Sequence, residues 1–348
     1  MSKEKQSLAS LLLFLRICYT LFEWKITGWC LAPSSYLVKE GTIVKNLSIY
    51  AILIGIMFIW GMNVTAIKTL VQYFPTITIQ SARVFTAGLV VFAILAMMKK
   101  IRKPTKKEYV YIILGGLLNV TTHHLFLGVG LSKTSGVNGG LILGMGPLLT
   151  ALMAILFLGT RLTLARTIGF ISGGIGITLT VLGGGNGLSG ISLGDLAIFL
   201  SITAQAASFI IISKAAKTMD PRLLTGYMLI FGSVVLFFIG LIIEPEGLGS
   251  LANDSLSLWL VFLGSAVIAT AFGHMLYNHA VGVVGPAETS IFLNLNTFFS
   301  LIGASIFLGE EITSFHLLGL VFIVIGVLFG SGAIEELLLK RKATRKVA

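Results

Sequence analysis

Long apolar stretches, separated by short polar connections, run through most of the chain. Each stretch holds about 20 residues, the length that a helix needs to cross the hydrocarbon core of a bilayer. The connections carry Gly, Pro or charged residues, which are typical of turns and loops. The pattern therefore predicts ten membrane-spanning helices, at residues 48–72, 76–98, 108–131, 136–158, 163–183, 193–214, 222–243, 257–281, 285–308 and 313–333.

Residues 1–47 fit this pattern less well and form a separate N-terminal extension. Residues 8–22 are apolar but few, and Arg16 interrupts them, which favours a helix lying in the membrane interface over one that spans the membrane. Two alternatives stay open. The extension packs poorly, as it would if the start codon were misplaced, or it contains a true span.

One short turn occurs twice, 150 residues apart. Residues 157–163 read FLGTRLT and residues 307–313 read FLGEEIT, so a basic turn in one copy is acidic in the other. Similar matches on either side of the turn indicate an internal duplication. The chain then divides into four parts: the extension 1–47, a first repeat 48–183, a second repeat 193–333 and a basic tail 334–348.

The connections between the apolar stretches alternate in charge. Basic residues dominate residues 99–107, 161–166 and 214–222 and the C-terminal tail, whereas acidic residues dominate the connections between them. Because positive connections stay cytoplasmic, both termini are predicted to lie in the cytoplasm. Each repeat has an odd number of spans, so the two repeats insert in opposite orientations. The predicted fold is an all-α membrane protein with ten transmembrane helices as two inverted five-helix repeats, an arrangement typical of secondary transporters.

Composition agrees with a membrane protein and excludes a soluble globular domain. Of the 348 residues, 55% are hydrophobic and 11% are charged, less than half of the roughly 25% charged residues in soluble domains. The net charge of +11 lies mostly in the connections, which favours membrane orientation over nucleic-acid binding. The two cysteines, Cys18 and Cys30, both lie in the extension, so we predict no disulfide framework, no metal site and no cofactor.

Several motifs in this order resemble the EamA family of the drug/metabolite transporter superfamily. They are the W-G-x-N of residues 60–63, Lys68, Pro75, Arg83 and the L-G-x-x-x-T turn that occurs twice. The resemblance covers residues 48–333. It implies a ten-helix carrier of the plasma membrane that moves small metabolites or drugs, often outward.

The sequence departs from the family pattern in the ninth predicted helix. The fourth helix has the family's Pro147, but the equivalent position in the second repeat is Thr297, preceded by Asn294 and Asn296. We therefore expect the ninth helix to be less kinked and more polar than in the family.

Two basic residues inside the predicted spans are candidates for function. A charge at the centre of a spanning helix costs about 2.5–3.5 kcal/mol on insertion scales, so each needs a reason. Arg83 lies eight residues into the second helix, where it is either a cation that attracts an anionic group of the substrate or one member of a structural pair. Lys68 lies near the end of the first helix, where it either acts in coupling or reaches the interface.

Other polar residues share helix faces in both repeats. Asn119 and His123 are four residues apart on the third helix, and His274 shares a face with Tyr277 and Asn278 on the eighth. Hydrogen bonding between helices is an equally good interpretation of each group. The residues predicted to line a substrate cavity are Trp60, Asn63, Arg83, Asn119, His123, Gln205, His274, Tyr277, Asn278 and Asn294.

Protons are the predicted coupling ion, since histidine titrates near physiological pH. Glu288, at the start of the ninth helix, is either a helix cap or a proton acceptor. The candidate coupling residues are Lys68, His123, His274 and Glu288.

Glycines on two helices predict one close helix contact, because small residues let backbones approach in a membrane. They lie on one face of the fifth helix and one face of the tenth: Gly169, Gly173 and Gly176, and Gly319, Gly326 and Gly330. The glycines of the repeated turn, Gly159 and Gly309, are interpreted as turn residues.

A secondary carrier for a small metabolite or drug-like solute, amino-acid-like if Arg83 binds it, is the function that these features favour. An intramembrane enzyme acting on lipid or peptide is the first alternative, but no G-x-S-x-G, H-E-x-x-H or pair of intramembrane aspartates occurs. A membrane scaffold without transport is the second alternative. The expected partners are the solute, protons and membrane lipid, and not nucleic acid.

Overall fold

The computed structural model describes residues 41–159, 162–183, 192–253 and 256–330, and the secondary structure in these ranges is helical without strands. The extension up to residue 40, the C-terminal tail and the Thr-Arg pair at 160–161 lie outside the described residues. We label the helices in chain order: α1 (Gly41–Tyr73), α2 (Thr76–Met97), α3 (Lys106–Lys133), α4 (Gly136–Leu143 and Gly146–Leu158), α5 (Leu164–Gly183), α6 (Leu193–Ala215), α7 (Pro221–Ile243), α8 (Leu256–Val284), α9 (Pro286–Ile291, Leu293–Gly303 and Ala304–Leu308) and α10 (Ser314–Gly330).

Eight of these helices are long and apolar enough to cross a membrane, and two contain shorter apolar stretches within the described residues. The shorter stretches are Leu164–Thr180 in α5 and Ser314–Gly330 in α10. Each helix coincides with a predicted apolar stretch to within a few residues, except that α1 begins earlier, at Gly41. The prediction of an all-helical, multi-pass membrane protein is confirmed.

Two hydrophobic clusters fill the bundle, one toward each end. The first includes Leu53 and Met228, and the second includes Ile67 and Leu141, all at most 2% exposed. Large apolar side chains also lie on the outer surface, for example Ile242, which is 80% exposed. An apolar exterior of this kind matches lipid and not water.

The repeated turn ends one helix and caps another. Gly159 and Gly309 close α4 and α9 with φ of 68° and 67°, a left-handed conformation that glycine adopts without strain. Both are turn residues, as predicted. In the second copy, the Glu310 carboxylate accepts hydrogen bonds from the backbone N–H groups of Gly136 and Val137, both at 2.8 Å. The free N–H groups at the start of α4 are thereby paired, and the second repeat is joined to the first.

Two further charged residues at the same end of the bundle cap helices of the first repeat. The Glu244 carboxylate, just after α7, accepts hydrogen bonds from the Ile77 and Thr78 N–H groups at the start of α2. Lys68 Nζ donates to the carbonyls of Leu131 (2.7 Å) and Thr134 (2.6 Å) at the end of α3. The helix dipole favours each charge at the end where it lies.

The opposite end of the bundle is held by an ion-pair network. Arg102 makes two hydrogen bonds to the Glu108 carboxylate (2.8 and 2.6 Å) and donates to the Thr218 carbonyl (3.0 Å). Asp220, which caps α7, accepts hydrogen bonds from the backbone and guanidinium of Arg222. The connection between α2 and α3 is therefore tied to the connection between α6 and α7.

Helices α5 and α10 pack with their backbones in near contact, which confirms the prediction from the glycines. A side chain at Gly169 would overlap the backbone of Gly330, and one at Gly326 would come within 2.9 Å of the Gly169 carbonyl. Ser172 Oγ donates to the Phe322 carbonyl across the same interface (3.0 Å). Only glycine permits this approach at these positions.

Several helices are interrupted at equivalent places in the two repeats. Residues Gly116–Thr122 of α3 and Gly264–Phe272 of α8 are π-helical, and most of each segment corresponds to the other at an offset of 150. α4 breaks just before Pro147, and α9 breaks at Phe292. Wide turns and breaks of this kind are frequent at functional sites.

α9 has no break at Thr297, where the segment Leu293–Gly303 is continuous, but it is interrupted five residues earlier. α9 breaks at Phe292, and Asn294 supplies the reason: its side-chain Nδ2 donates to the Ile291 carbonyl at 2.8 Å. In a continuous helix that carbonyl would accept from the N–H of Leu295, which bonds to Phe292 instead. The asparagine side chain thus interrupts the helix by competing for a backbone acceptor.

Candidate functional site

A cavity of about 50 Å³ lies between the two hydrophobic clusters, among helices of both repeats. This volume holds only a few water molecules. Its walls come from α1, α3, α4, α6, α8 and α9, and no Asp, Glu, Lys or Arg is among them. The lining residues are Trp60, Asn63, Val64, Ile67, His123, His124, Leu127, Leu143, Ile202, Gln205, His274, Leu293 and Asn296.

Three histidines meet at the cavity because the two π-helical segments end beside it. His123 and His124 follow directly after the segment in α3, and His274 follows the one in α8. The ring centroids of His123 and His124 are 4.8 Å apart, and those of His124 and His274 are 5.5 Å apart. Trp60 packs against His274 and donates its Nε1–H to the carbonyl of Ala269 (2.8 Å), inside the second π-helical segment.

Arg83 lies directly behind His124, with all of its side chain buried. Its Nε donates to Gln80 Oε1 (2.8 Å), its Nη1 donates to the hydroxyls of Ser265 and Thr270, and its Nη2 lies 3.0 Å from His124 Nδ1. All four partners are uncharged. Within the described ranges, no carboxylate forms an ion pair with Arg83.

The bond to Arg83 fixes the tautomer of His124. A guanidinium is a donor only, so His124 Nδ1 must accept, and the ring hydrogen must then be on Nε2. That Nε2–H is buried and has no partner among the described residues. His124, one of the residues that line the cavity, therefore has a buried hydrogen-bond donor without a partner in the described ranges.

His123 is held differently, by two residues of α6. Its Nδ1 lies 2.8 Å from Ser201 Oγ, which itself donates to the His123 carbonyl, so Nδ1 carries the hydrogen and donates to Ser201. Its Nε2 lies 3.1 Å from Gln205 Nε2 and accepts from that amide. Both ring nitrogens of His123 are thus used in joining α3 to α6.

Half of the residues predicted to line the cavity do so, namely Trp60, Asn63, His123, Gln205 and His274. The other five lie outside its wall. Arg83 and Tyr277 stand behind lining residues, Tyr277 against the ring of Trp60 (centroids 4.9 Å apart). The remaining three make hydrogen bonds to helix partners: Asn119 to Ser208, Asn278 to Thr225 and Asn294 to the Ile291 carbonyl.

The four candidate coupling residues are dispersed. Lys68 caps α3, as described above, and His123 and His274 are in the cavity wall. Glu288 lies in the first segment of α9, and its side chain is outside the described part of the chain.

Sequence reasoning did not select two polar residues of the cavity wall, His124 and Asn296. A signal existed for His124, since it is the repeat equivalent of His274 at an offset of 150. No signal separated Asn296 from Asn294, because two asparagines two residues apart on one helix differ only in the face that they occupy. Among the residues that the structure describes, no group of three or more His, Cys, Asp or Glu is arranged to hold a metal ion.

Comparisons with known proteins give consistent results over both halves of the chain. A family model described as the EamA-like transporter family matches residues 47–182 and 192–331. An uncharacterized transporter of Bacillus subtilis, YyaM, is 30% identical over 84% of this chain and 96% of its own. A chloroplastic WAT1-related protein of Arabidopsis thaliana is 25% identical over 80% of this chain and 67% of its own.

Similarity also extends to an archaeal sequence and to a solved structure. An uncharacterized transporter of Archaeoglobus fulgidus is 25% identical over 77% of this chain and 93% of its own. One crystal structure, 16% identical, aligns over 82% of this chain and 97% of its own with a TM-score of 0.55, which shows a shared fold. Since the family model matches both halves and the relatives are named as transporters, this chain is a multi-pass membrane protein that belongs to the EamA-like transporter family.

Proposed function

We propose that this protein is a secondary carrier that moves a small solute across the plasma membrane by alternating access. The observation that supports it best is the cavity, which equivalent elements of both repeats enclose. Secondary transporters place their substrates near the membrane midplane between two such repeats. On this proposal the ten helices all span, as two inverted halves.

The small size of the cavity supports a moving mechanism. A solute larger than a few water molecules needs the surrounding helices to separate before it can enter. Both ends of the bundle are closed by bonds between repeats, Glu310 on α4 at one end and Arg102 on the Thr218 carbonyl at the other. Alternating access would break one set of bonds while the other set stays in place.

The distribution of charge supports an orientation. Arg102 and Arg222 lie at the basic end of the bundle, and Glu244 and Glu310 lie at the acidic end. The excess of Lys and Arg favours the basic end as the cytoplasmic one, with both termini inside. The family resemblance favours export as the direction and small metabolites or drugs as the solutes.

The cavity wall favours a carrier over an intramembrane enzyme. Its lining residues include no Ser, Thr, Cys, Asp, Glu or Lys, so the described site has no side-chain nucleophile with an adjacent base, other than the histidines themselves. The nearest hydroxyl to His123, that of Ser201, is already used in the bond between α3 and α6.

A toxicity screen followed by counterflow tests the proposal. Deletion and overexpression strains are compared over a panel of metabolites and toxic compounds, and the solutes that change resistance are then measured in proteoliposomes. We expect counterflow without chemical change of the solute. Leu127→Trp, which places an indole in the cavity, should abolish it, whereas Ile171→Trp on the exposed face of α5 should not.

Three outcomes would contradict this proposal in part or in whole. Counterflow that is unaffected by Leu127→Trp, in protein that stays monodisperse in detergent, would move the path away from the cavity. Recovery of a chemically altered solute would favour the enzyme, and no flux for any solute that changes resistance would favour the scaffold.

A further inference from the structure

We propose that the cavity recognises a carboxylate group, that His124 Nε2–H is the donor that contacts it, and that Arg83 is a positioning residue that acts through His124. The proposal rests on the proposed function only in taking this cavity as the transport site. It assigns a substrate class, a solute with a compact carboxylate, to that site.

The first reason is a buried charge that nothing in the described protein neutralises. Arg83 is 1% exposed, and its hydrogen-bond partners are all neutral. The described carboxylates that are bound are engaged elsewhere: Glu108 and Asp220 by arginines, Asp195 by Thr134, and Glu244 and Glu310 by helix ends. Because an uncompensated buried charge is costly, an anion bound close by is favoured.

The second reason is that His124 links this charge to the cavity. Arg83 does not line the wall, but its Nη2 bonds to Nδ1 of His124, which does line it. A ring that accepts from a cation at one nitrogen is a stronger donor at the other, because hydrogen bonds in series polarise one another. A carboxylate oxygen would satisfy this donor and bring a negative charge toward Arg83.

The third reason is the composition of the remaining wall. Asn63, Gln205 and Asn296 offer amide groups, and Ile67 and Leu127 offer an apolar surface for a hydrocarbon part. Trp60 could attract a cation through its ring face, but the charge of Arg83 opposes a cation in the same cavity. The wall therefore suits a small carboxylate whose other part is apolar or forms hydrogen bonds with amide side chains.

The test measures the imidazole groups directly in the purified full-length protein. The chain has five histidines, so 15N-histidine labelling gives few signals. Two rings are expected in the Nε2–H form, His124 and His316, whose Nδ1 accepts from the Thr313 N–H and whose Nε2 donates to Asn138 Oδ1. The signal of His124 is the one of these two that disappears in His124→Asn. That signal should shift saturably on titration with acetate, and it should not shift with acetamide or methylammonium at equal concentration.

Paired variants separate the two nitrogens of His124. Asn can keep an acceptor for Arg83 but has no donor at the position of Nε2, whereas Gln can place a donor there. Acetate affinity should fall about 10- to 100-fold in His124→Asn, the range for one hydrogen bond to a charged group, and less in His124→Gln. His316→Gln is the matched control, since His316 is 4% exposed but bonds to Asn138 away from the cavity.

Two variants of Arg83 test its positioning role through a spectroscopic signature. Arg83→Gln should weaken acetate binding to a similar degree and also turn His124 into a mixture of tautomers, because the donor to Nδ1 is gone. If Arg83→Gln does not fold, Arg83→Lys keeps the charge and changes the geometry, and the same change in tautomer is expected.

Several outcomes would overturn the proposal. Equal shifts with acetate and acetamide, wild-type acetate affinity in His124→Asn, or inorganic phosphate binding tenfold tighter than acetate would each do so. Specific acetate binding without flux of any carboxylate would leave the site standing and remove the carrier function. Flux of an uncharged solute that acetate does not inhibit would leave the carrier and remove the carboxylate site.

Discussion

Replacement of Glu310 by Gln should loosen the acidic end of the bundle. In the native chain both carboxylate oxygens of Glu310 accept backbone hydrogen bonds at 2.8 Å, one from Gly136 and one from Val137. Gln has a single carbonyl acceptor and no charge, so one hydrogen bond and the interaction with the helix dipole are lost. The shape of the side chain hardly changes, which confines the perturbation to this contact.

The structure gives the size of the effect. A hydrogen bond to a charged group contributes about 1.5–3 kcal/mol, and a charge at a helix end contributes about 0.3–1 kcal/mol. Glu310 is partly exposed, so solvent screening places the sum at the low end, about 1–2 kcal/mol. That change raises the population in which this end is open by roughly 5- to 30-fold.

Labelling of a buried cysteine measures that population. Val137 is 1% exposed beside the contact, and Leu223 is 1% exposed at the opposite end of the bundle. Each is changed to Cys in a chain whose Cys18 and Cys30 are replaced by Ser, and the rate of reaction with a maleimide is measured in detergent. Glu310→Gln should raise the rate at position 137 by the factor above and leave the rate at position 223 unchanged or lower.

Glu311→Gln is the matched control. Glu311 lies in the same turn, carries the same charge and is exposed, without a hydrogen bond to any other described residue. If both variants raise the rate at position 137 equally, charge alone is responsible and the capping contact is not. If the rate at position 223 rises together with that at 137, the variant unfolds the bundle and the reasoning about one end is refuted.

Three more predictions concern other contacts of the bundle. Gly326→Leu should force α5 and α10 apart and lower the free energy of unfolding by about 1–3 kcal/mol, measured as a loss of monodisperse protein in size-exclusion chromatography. Gly174→Leu is the control, because a side chain at Gly174 meets open space and should have no effect. Trp60→Phe removes the donor that bonds to the Ala269 carbonyl at 2.8 Å and should destabilise the π-helical segment by about 1–3 kcal/mol. Hydrogen exchange in residues 264–272 should then be faster, and an unchanged exchange rate would contradict the role of this bond. Lys68→Met should leave the pH dependence of solute counterflow unchanged, since Lys68 caps α3; an altered pH profile would return it to the coupling candidates.

The positions of the helices could be read from the sequence because a run of about 20 apolar residues has few other interpretations. Most of the interruptions within the helices could not. Pro147 is a visible signal for the break in α4, but the break in α9 depends on a hydrogen bond from Asn294 to Ile291, and asparagine makes such bonds only in some contexts. The π-helical segments of α3 and α8 contain no proline at all.

The candidate site, too, could be predicted from the sequence only in part. Spacing along a helix identified His123 with Asn119 and identified His274, since residues three or four apart share a face. Which of these faces borders the cavity depends on how the helices pack. His124, one residue on, has a buried ring nitrogen without a partner among the described residues, and so does His274. The buried position of Arg83 was predicted, but its place behind His124 required the structure.

The contact between α5 and α10 pairs equivalent residues of the two repeats in both directions, as the interface of a symmetric dimer does. At the offset of 150 residues, Gly169 corresponds to Gly319 and Gly176 to Gly326, and the observed neighbours are Gly169 with Gly326 and Gly176 with Gly319. Ser172 bonds to Phe322, its own counterpart, as residues do at a two-fold axis. Two separate five-helix chains could make this same interface.

Fusion of two such chains changes what the interior can hold. In a symmetric dimer every buried group is present twice, so an arginine at position 83 would bring a second buried cation with it. The first two helices of each repeat align at an offset of 146, which pairs Lys68 with Lys214 and Pro75 with Pro221. At that offset the position equivalent to Arg83 in the fused chain is Leu229, which is fully buried. A single gene therefore allows one uncompensated charge beside the cavity where a dimer of identical halves would have two.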